Sequence, residues 1–175
     1  GKLYCNRWKT LKMLAEAIYK VNNDYGRTMI QLNIYTADDI TKIQDRVLND
    51  GVHSIIHGCV PATELPSIYE KSDIVLHVES LDKKNRLLTQ DSFSTKVIDC
   101  LASGCAVMAL CWEGHAAYQY LKKMNAAITA SSNEEIYLKV RKLVQNPKIV
   151  CKYAKRANEC GKKNHQRRDI QKMLR

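Results

Sequence analysis

Residues 72–110 read SDIVLHVESLDKKNRLLTQDSFSTKVIDCLASGCAVMAL, and this stretch decides the fold class. Residues 73–78 (DIVLHV) and 106–110 (AVMAL) are apolar enough to be buried strands. Between them, a polar segment without clear periodicity, residues 79–93, leads into an amphipathic helix over residues 94–103. A strand, a helix and a second strand in this order indicate a parallel βαβ unit.

The same alternation continues on both sides of this unit. On its N-terminal side we predict strands over residues 29–36 and 54–57 and helices over residues 10–23, 38–49 and 63–71, with Thr10 as the first N-cap. On its C-terminal side we predict a strand over residues 126–129 and helices over residues 115–123, 133–145 and 148–172. The predicted fold class is therefore α/β, a doubly wound, Rossmann-like parallel sheet with helices on both faces.

The composition suits one domain with an anionic partner. The chain has 175 residues and a net charge of +10, and residues 150–175 hold nine basic and two acidic residues. The basic helices over residues 148–175 have two interpretations, a solvated face or a surface for another domain or anionic lipid. A nucleic-acid-binding protein is a rival class, but we expect no nucleic-acid partner because no known module is present.

The cysteines and histidines form neither a disulfide framework nor a cluster at zinc-ligand spacing. Seven cysteines, an odd number without a C-x-x-C pair, favour a reducing compartment and a cytoplasmic location. We expect no metal site, since no Cys and His cluster at zinc-ligand spacing, and we interpret His57 and His77 as ordinary core or rim residues. No signal peptide or apolar membrane span is visible, and the chain, which does not begin with Met, is expected to be a fragment.

Ligands of doubly wound sheets bind beyond the carboxyl ends of the strands, so the loops after the strands carry the candidates. In the opening GKLYCNR, Lys2 and Arg7 precede a helix, where cations and free amides favour a phosphate. The alternative is a solvated loop with ordinary surface cations. G-x-G-x-x-G and G-x-x-x-x-G-K-[ST] do not occur, which argues against a dinucleotide oxidoreductase and a P-loop enzyme.

The second candidate set lies where the polar segment enters the helix over residues 94–103. Ser94 and Thr95 would cap this helix with their amides facing a pyrophosphate, and Asp99 one turn later would accept hydroxyls of a ribose. Asp91 would project from the loop toward a sugar. The alternative is that Lys96 and Asp99, three residues apart, form an ordinary surface pair.

Taken in order, these motifs resemble the C-terminal, nucleotide-sugar-binding domain of GT-B fold glycosyltransferases of the retaining family 4 type. That family shows G-[RK]-L-x-x-x-[KR], here residues 1–7, and an apolar-x-G-x-V…E-L…Y…D pattern, here residues 55–80. It then shows E-x7-E followed by A-x-G-x-x-V, here residues 91–99 and 102–107. The run FSTKVIDCLASG is similar to a version found in bacterial surface-polysaccharide transferases.

The resemblance implies roles for these residues. Lys2 and Arg7 would hold the diphosphate of a donor of the UDP or GDP type, with amides of Phe93, Ser94 and Thr95 adding contacts. Asp91 would touch the donor sugar, Asp99 the ribose, and the backbone around Val60 the base. Both acids are Asp where the family usually has Glu, so each side chain is one methylene shorter and must approach the donor more closely or contact it through water.

The resemblance also implies a division of labour between two domains. Residues 1–175 would be the donor-binding domain, and a polysaccharide or lipid-linked acceptor would bind an N-terminal domain that these residues do not include. The sequence has no Asp-x-Asp motif, so the implied retaining transfer would use cations and amides rather than a metal at the diphosphate. A degenerate or regulatory nucleotide-sugar-binding module without transferase activity is the alternative function.

Overall fold

The computed structural model describes residues 1–165. The strands are β1 (Leu32–Tyr35), β2 (Ser54–Gly58), β3 (Ile74–Val78), β4 (Ala106–Leu110) and β5 (Ile128–Ala130). The helices are α1 (Arg7–Tyr25), α2 (Lys42–Leu48), α3 (Leu65–Glu70), α4 (Lys83–Thr89), α5 (Thr95–Ala102), α6 (Ala116–Lys123), α7 (Asn133–Gln145) and α8 (Lys148–Asn164). Within the described residues, no helix is both long and apolar enough to cross a membrane.

The strands form two parallel sheets, one of β1 and β2 and one in the order β3-β4-β5. All five residues of β4 are buried, and they alternate between the two faces of their sheet, as a central strand requires. Met108 and Leu110 pack in an apolar cluster with α1 and α7, whereas Val107 and Ala109 pack in a second cluster with α5, α6 and α8. The predicted Rossmann-like, doubly wound class is confirmed, with the strands divided between two sheets.

Hydrogen bonds along β1 fix the position of the N-terminal loop, residues 1–6. The amides of Leu32 and Thr36 donate to carbonyl groups on the β2 side, each at 2.8 Å, so the peptide groups of Asn33 and Tyr35 turn to the opposite edge. There the Gly1 nitrogen donates to the Tyr35 carbonyl oxygen. The N-terminal loop therefore lies at the carboxyl end of β1, on the edge that β2 does not occupy.

Helix α1 begins three residues earlier than the apolar periodicity predicts. Cys5 and Asn6 adopt left-handed backbone conformations, with φ of 54° and 61°, and Asn6 occupies the N-cap position. Thr10, the predicted N-cap, is buried inside the helix, and its hydroxyl donates to the Glu79 carbonyl oxygen at 2.9 Å. The prediction for Thr10 was wrong because that residue joins α1 to the end of β3.

The polar segment over residues 79–93 is not a continuous loop, because it contains α4. Asp82 caps this helix by accepting the Asn85 amide hydrogen at 3.0 Å. The buried residues of α4 are Asn85 and Thr89, whereas Leu87 and Leu88 are 75% and 71% exposed. This inverted pattern explains why hydrophobic periodicity did not reveal the helix.

Helix α8 packs against α5 and fixes its position. Ala157 and Cys160 of α8 are buried in the second apolar cluster. Gly161 lies so close to α5 that a Cβ there would be 3.1 Å from the Leu101 carbonyl oxygen. The predicted continuation of this helix to residue 172 lies outside the described residues.

Candidate functional site

The predicted loops meet at the carboxyl edge of the strands. Lys2 forms an ion pair with Asp38, at 3.1 Å between Nζ and Oδ1, and 55% of the Lys2 side chain is exposed. The Leu3 amide donates to the other Asp38 oxygen at 2.5 Å. This backbone hydrogen bond, together with Lys2, lowers the pKa of the Asp38 carboxyl group. The loop after β1 thus fixes the N-terminal loop and leaves Lys2 within reach of solvent.

Arg7, the second predicted cation, is bound to a carboxylate of the protein itself. Its Nε donates to Glu79 Oε2 and its Nη2 to Oε1, both at 2.9 Å, and the Glu79 side chain is only 2% exposed. The guanidinium also lies over the Tyr4 ring, 4.6 Å from its centroid. A bidentate pair of this kind orients the start of α1 against the end of β3, so the structure places Arg7 as an anchor of the site.

The N-terminus of α5 is the open part of this edge. Ser94 caps the helix by accepting the Lys96 amide hydrogen at 3.3 Å, as predicted. Within the described residues, the amides of Phe93, Ser94 and Thr95 donate to no protein acceptor. Free amides at a helix N-terminus favour an anion, which is the chemistry that the sequence predicts here.

Lys96 of α5 reaches the N-terminal loop, although the sequence suggests for it only a surface pair with Asp99. No Lys96–Asp99 ion pair forms within residues 1–165. Instead, the Lys96 Nζ lies 3.8 Å from the place that a Cβ on Gly1 would occupy. A cation at the first turn of α5 therefore faces the N-terminal loop, about 90 residues away along the sequence.

The remaining predicted residues lie around this centre. Asp91 and Asp99 are both exposed, and Asp99 lies near enough to the half-buried Tyr69 of α3 to contribute, after burial and Cys100, to the raised pKa of its hydroxyl. Val60 is half-buried in the loop after β2. The Phe93 side chain is 41% exposed and packs edge-on against Tyr120, with ring centroids 5.4 Å apart. These positions leave both carboxylates accessible to a ligand.

Beneath the edge, the structure brings together three residues that the sequence analysis did not connect. His77 on β3, Cys111 after β4 and His115 at the N-cap of α6 each offer one ligand atom, and these atoms lie within 4.8 Å of one another. Burial lowers the pKa of His77 to about 4, and His115, Arg7 and Lys96 act in the same direction. Burial also lowers the pKa of His115 and raises that of the Cys111 thiol.

A separate surface cavity of about 770 Å³ lies at the ends of β4 and β5. Its lining includes Arg86, Trp112, Glu113, Tyr118, Lys122 and Lys123. A Cβ on Gly114 would be 2.2 Å from the Trp112 ring, so only glycine lets the indole lie against this loop. None of the predicted site residues lines the cavity, and we therefore locate the candidate site at the α5 edge.

The fold and this edge define the class of the chain, a Rossmann-like α/β protein whose polar loops gather where parallel strands end. A family model described as "Glycosyl transferase-like" matches residues 1–175, and the chain belongs to that family. This membership supports a role in glycosyl transfer. A search of curated proteins found no match.

Proposed function

We propose that the chain is the donor-binding half of a retaining, family 4-like GT-B glycosyltransferase. The observation that carries the proposal is the convergence of the N-terminal loop on the N-terminus of α5, with Lys96 between them. A nucleoside diphosphate needs cations and free amide donors at one place, and this edge supplies both. The donor would be a sugar linked to UDP or GDP.

We propose a division of roles among the residues around the diphosphate. The amides of Phe93, Ser94 and Thr95 and the ammonium groups of Lys2 and Lys96 would stabilise the negative charge that grows on the leaving diphosphate. Arg7, held by Glu79, would keep the N-terminal loop against the strand ends rather than take the phosphate charge itself. The catalytic role that the resemblance implies for Arg7 thus becomes a positioning role in this proposal.

The other contacts follow from the positions of the exposed acids. Asp99 would accept hydrogen bonds from the ribose, Asp91 would contact the donor sugar, and the backbone near Val60 would contact the base. A polysaccharide or lipid-linked acceptor would bind a second domain, and residues 1–175 alone would bind the donor weakly without transferring sugar. A degenerate donor-binding module would bind in the same way, and a transfer assay on a two-domain protein would separate the two.

Nucleotide binding tests the proposal directly. We expect UDP or GDP to bind the 175-residue chain in isothermal titration calorimetry, and Lys96→Gln to weaken binding on the order of tenfold by removing a charge-assisted contact. Lys12→Gln is the matched control, because Lys12 is a lysine of α1 whose side chain is 41% exposed and pairs with Glu16 at 3.1 Å. Equal losses in both variants, or no binding of either nucleotide, would contradict the proposed site.

We also propose that the basic surface of α8 makes a peripheral contact with anionic membrane lipid. Lys152, Lys155, Lys162 and Lys163 are exposed on this helix. Co-sedimentation with anionic and with neutral vesicles measures this contact, since electrostatic binding requires the anionic lipid. Equal recovery with both vesicle types would remove the membrane from the proposal without affecting donor binding.

A further inference from the structure

We propose that His77, Cys111 and His115 form a binding site for a soft or borderline metal cation, Zn²⁺ or Cu⁺. Their ligand atoms lie within 4.8 Å of one another, and the three residues are 4%, 0% and 0% exposed. Two imidazoles and one thiolate are the ligands that these cations prefer. The hard cations Mg²⁺ and Ca²⁺ prefer carboxylate and carbonyl oxygens, which this group does not offer.

A second observation points to a missing ligand at the same place. The Nε2 atoms of His77 and His115 are fully enclosed, and neither has a hydrogen-bond partner within residues 1–165. Buried polar atoms of native proteins are nearly always satisfied, because an unpaired one has lost its hydrogen bonds to water without replacement. The centroids of the two rings are 6.0 Å apart, and a cation bound through the Nε2 atom of each ring would satisfy both atoms.

The present geometry needs only a small adjustment to close around a cation. Metal–nitrogen and metal–sulfur bonds of 2.0–2.3 Å place ligand atoms about 3.5 Å apart, so the group would contract by roughly 1 Å. Glu79 does not belong to this group and is held by Arg7 in a bidentate pair. The site would therefore have three protein ligands, a number that suits trigonal Cu⁺ or a Zn²⁺ with one further ligand.

One existing contact opposes the site. The Ala117 amide donates to His115 Nδ1 at 3.2 Å, which places the proton of the neutral ring on Nε2. Coordination through Nε2 moves that proton to Nδ1 and gives up the cap of α6. Coordination by two imidazoles and a thiolate stabilises a folded protein far more than a single helix cap does, so the cap does not decide the outcome.

Metal binding at this place also has a defined proton balance. A cysteine thiol is protonated near neutral pH, and the cation replaces that proton on sulfur. The cysteine remains at the thiol oxidation level, so neither an oxidant nor a reductant is needed. We expect one proton released for each cation bound near neutral pH.

The experiment measures metal uptake by the reduced, chelator-treated 175-residue chain. We expect one equivalent of Zn²⁺ or Cu⁺ to bind and raise the melting temperature, Mg²⁺ to have no effect, and Co²⁺ to give a thiolate-to-metal charge-transfer band. Cys111→Ser should abolish the band and lower the affinity for the metal by at least about tenfold. Changes to residues that only support a metal ligand already cause losses of about 10–100-fold. Cys160→Ser, which alters another buried cysteine, should change neither.

Two further measurements distinguish a loss of metal binding from a loss of folding. His115→Asn removes the ligand but keeps a good N-cap residue, so it should lose the metal and retain the circular dichroism of the wild type. In the wild-type chain, ¹⁵N resonances of two histidine Nε2 atoms should shift on addition of Zn²⁺ or Cu⁺. No uptake of either cation, or uptake that survives both Cys111→Ser and His115→Asn, would overturn the proposal.

Discussion

The two halves of the carboxyl edge use their charges in opposite ways. In the N-terminal half, Lys2 and Arg7 are both paired with carboxylates of the protein, Asp38 and Glu79. In the α5 half, the amides of residues 93–95 have no protein acceptor, and Lys96 has no carboxylate partner within residues 1–165. One half is thus a scaffold fixed by internal ion pairs, and the other is a surface that can still bind an anion.

The largest effect should come from breaking the scaffold half at Arg7. Arg7→Met leaves the carboxylate of Glu79, 2% exposed, without its partner, and removing one member of a buried pair costs about 3–5 kcal/mol. Urea unfolding measures this loss as a lower midpoint. The double variant Arg7→Met with Glu79→Gln should recover part of the stability, because the buried charge is then gone. A single variant as stable as the wild type would show that the pair does not hold the edge together.

The packing of α8 on α5 supports the open half, and Gly161→Ala tests it. In an exposed helix, replacing Gly by Ala gains about 1 kcal/mol of stability. Here the new Cβ would lie 3.1 Å from the Leu101 carbonyl oxygen, a backbone atom that cannot move without shifting α5. We expect a net loss of about 1 kcal/mol, measured by thermal unfolding, with Glu159→Ala on the exposed side of α8 as the control. A gain in stability would mean that α8 can move away from α5 freely.

The parts of the fold that the sequence predicts well are those whose apolar pattern and packing agree. Strand β4 and helix α7 have the predicted bounds, because β4 is buried on both faces and α7 buries Ile136, Val140 and Leu143 at helical spacing. Helix α4 was missed because its buried residues are polar, although Asp82 at its N-cap was an available signal. Local patterns thus predict an element only when its buried face is apolar.

The meeting of the predicted loops at one edge could be predicted from the sequence, but the ion pairs between their side chains could not. Strand–helix alternation places the loops at one edge, and the N-cap at Ser94 follows from its residue type. That Arg7 meets Glu79 depends on packing between elements 72 residues apart, which no local pattern records. His77 was likewise separated from Cys111 and His115, although the C-x-x-x-H spacing of the last two residues was a readable signal.

The smallest effect on stability, and the sharpest distinction between the halves, should come from Lys2→Gln. Lys2 is 55% exposed, and an exposed ion pair contributes less than about 1 kcal/mol, so urea unfolding should barely change. Asp38→Ala should cost more, since the Leu3 amide loses the acceptor that it meets at 2.5 Å. If Lys2 serves the donor, Lys2→Gln should still weaken UDP or GDP binding, because a cation exposed at the edge can leave Asp38 for a phosphate. Unchanged nucleotide affinity in Lys2→Gln would place the whole N-terminal half in the scaffold and leave Lys96 and the α5 amides as the diphosphate site.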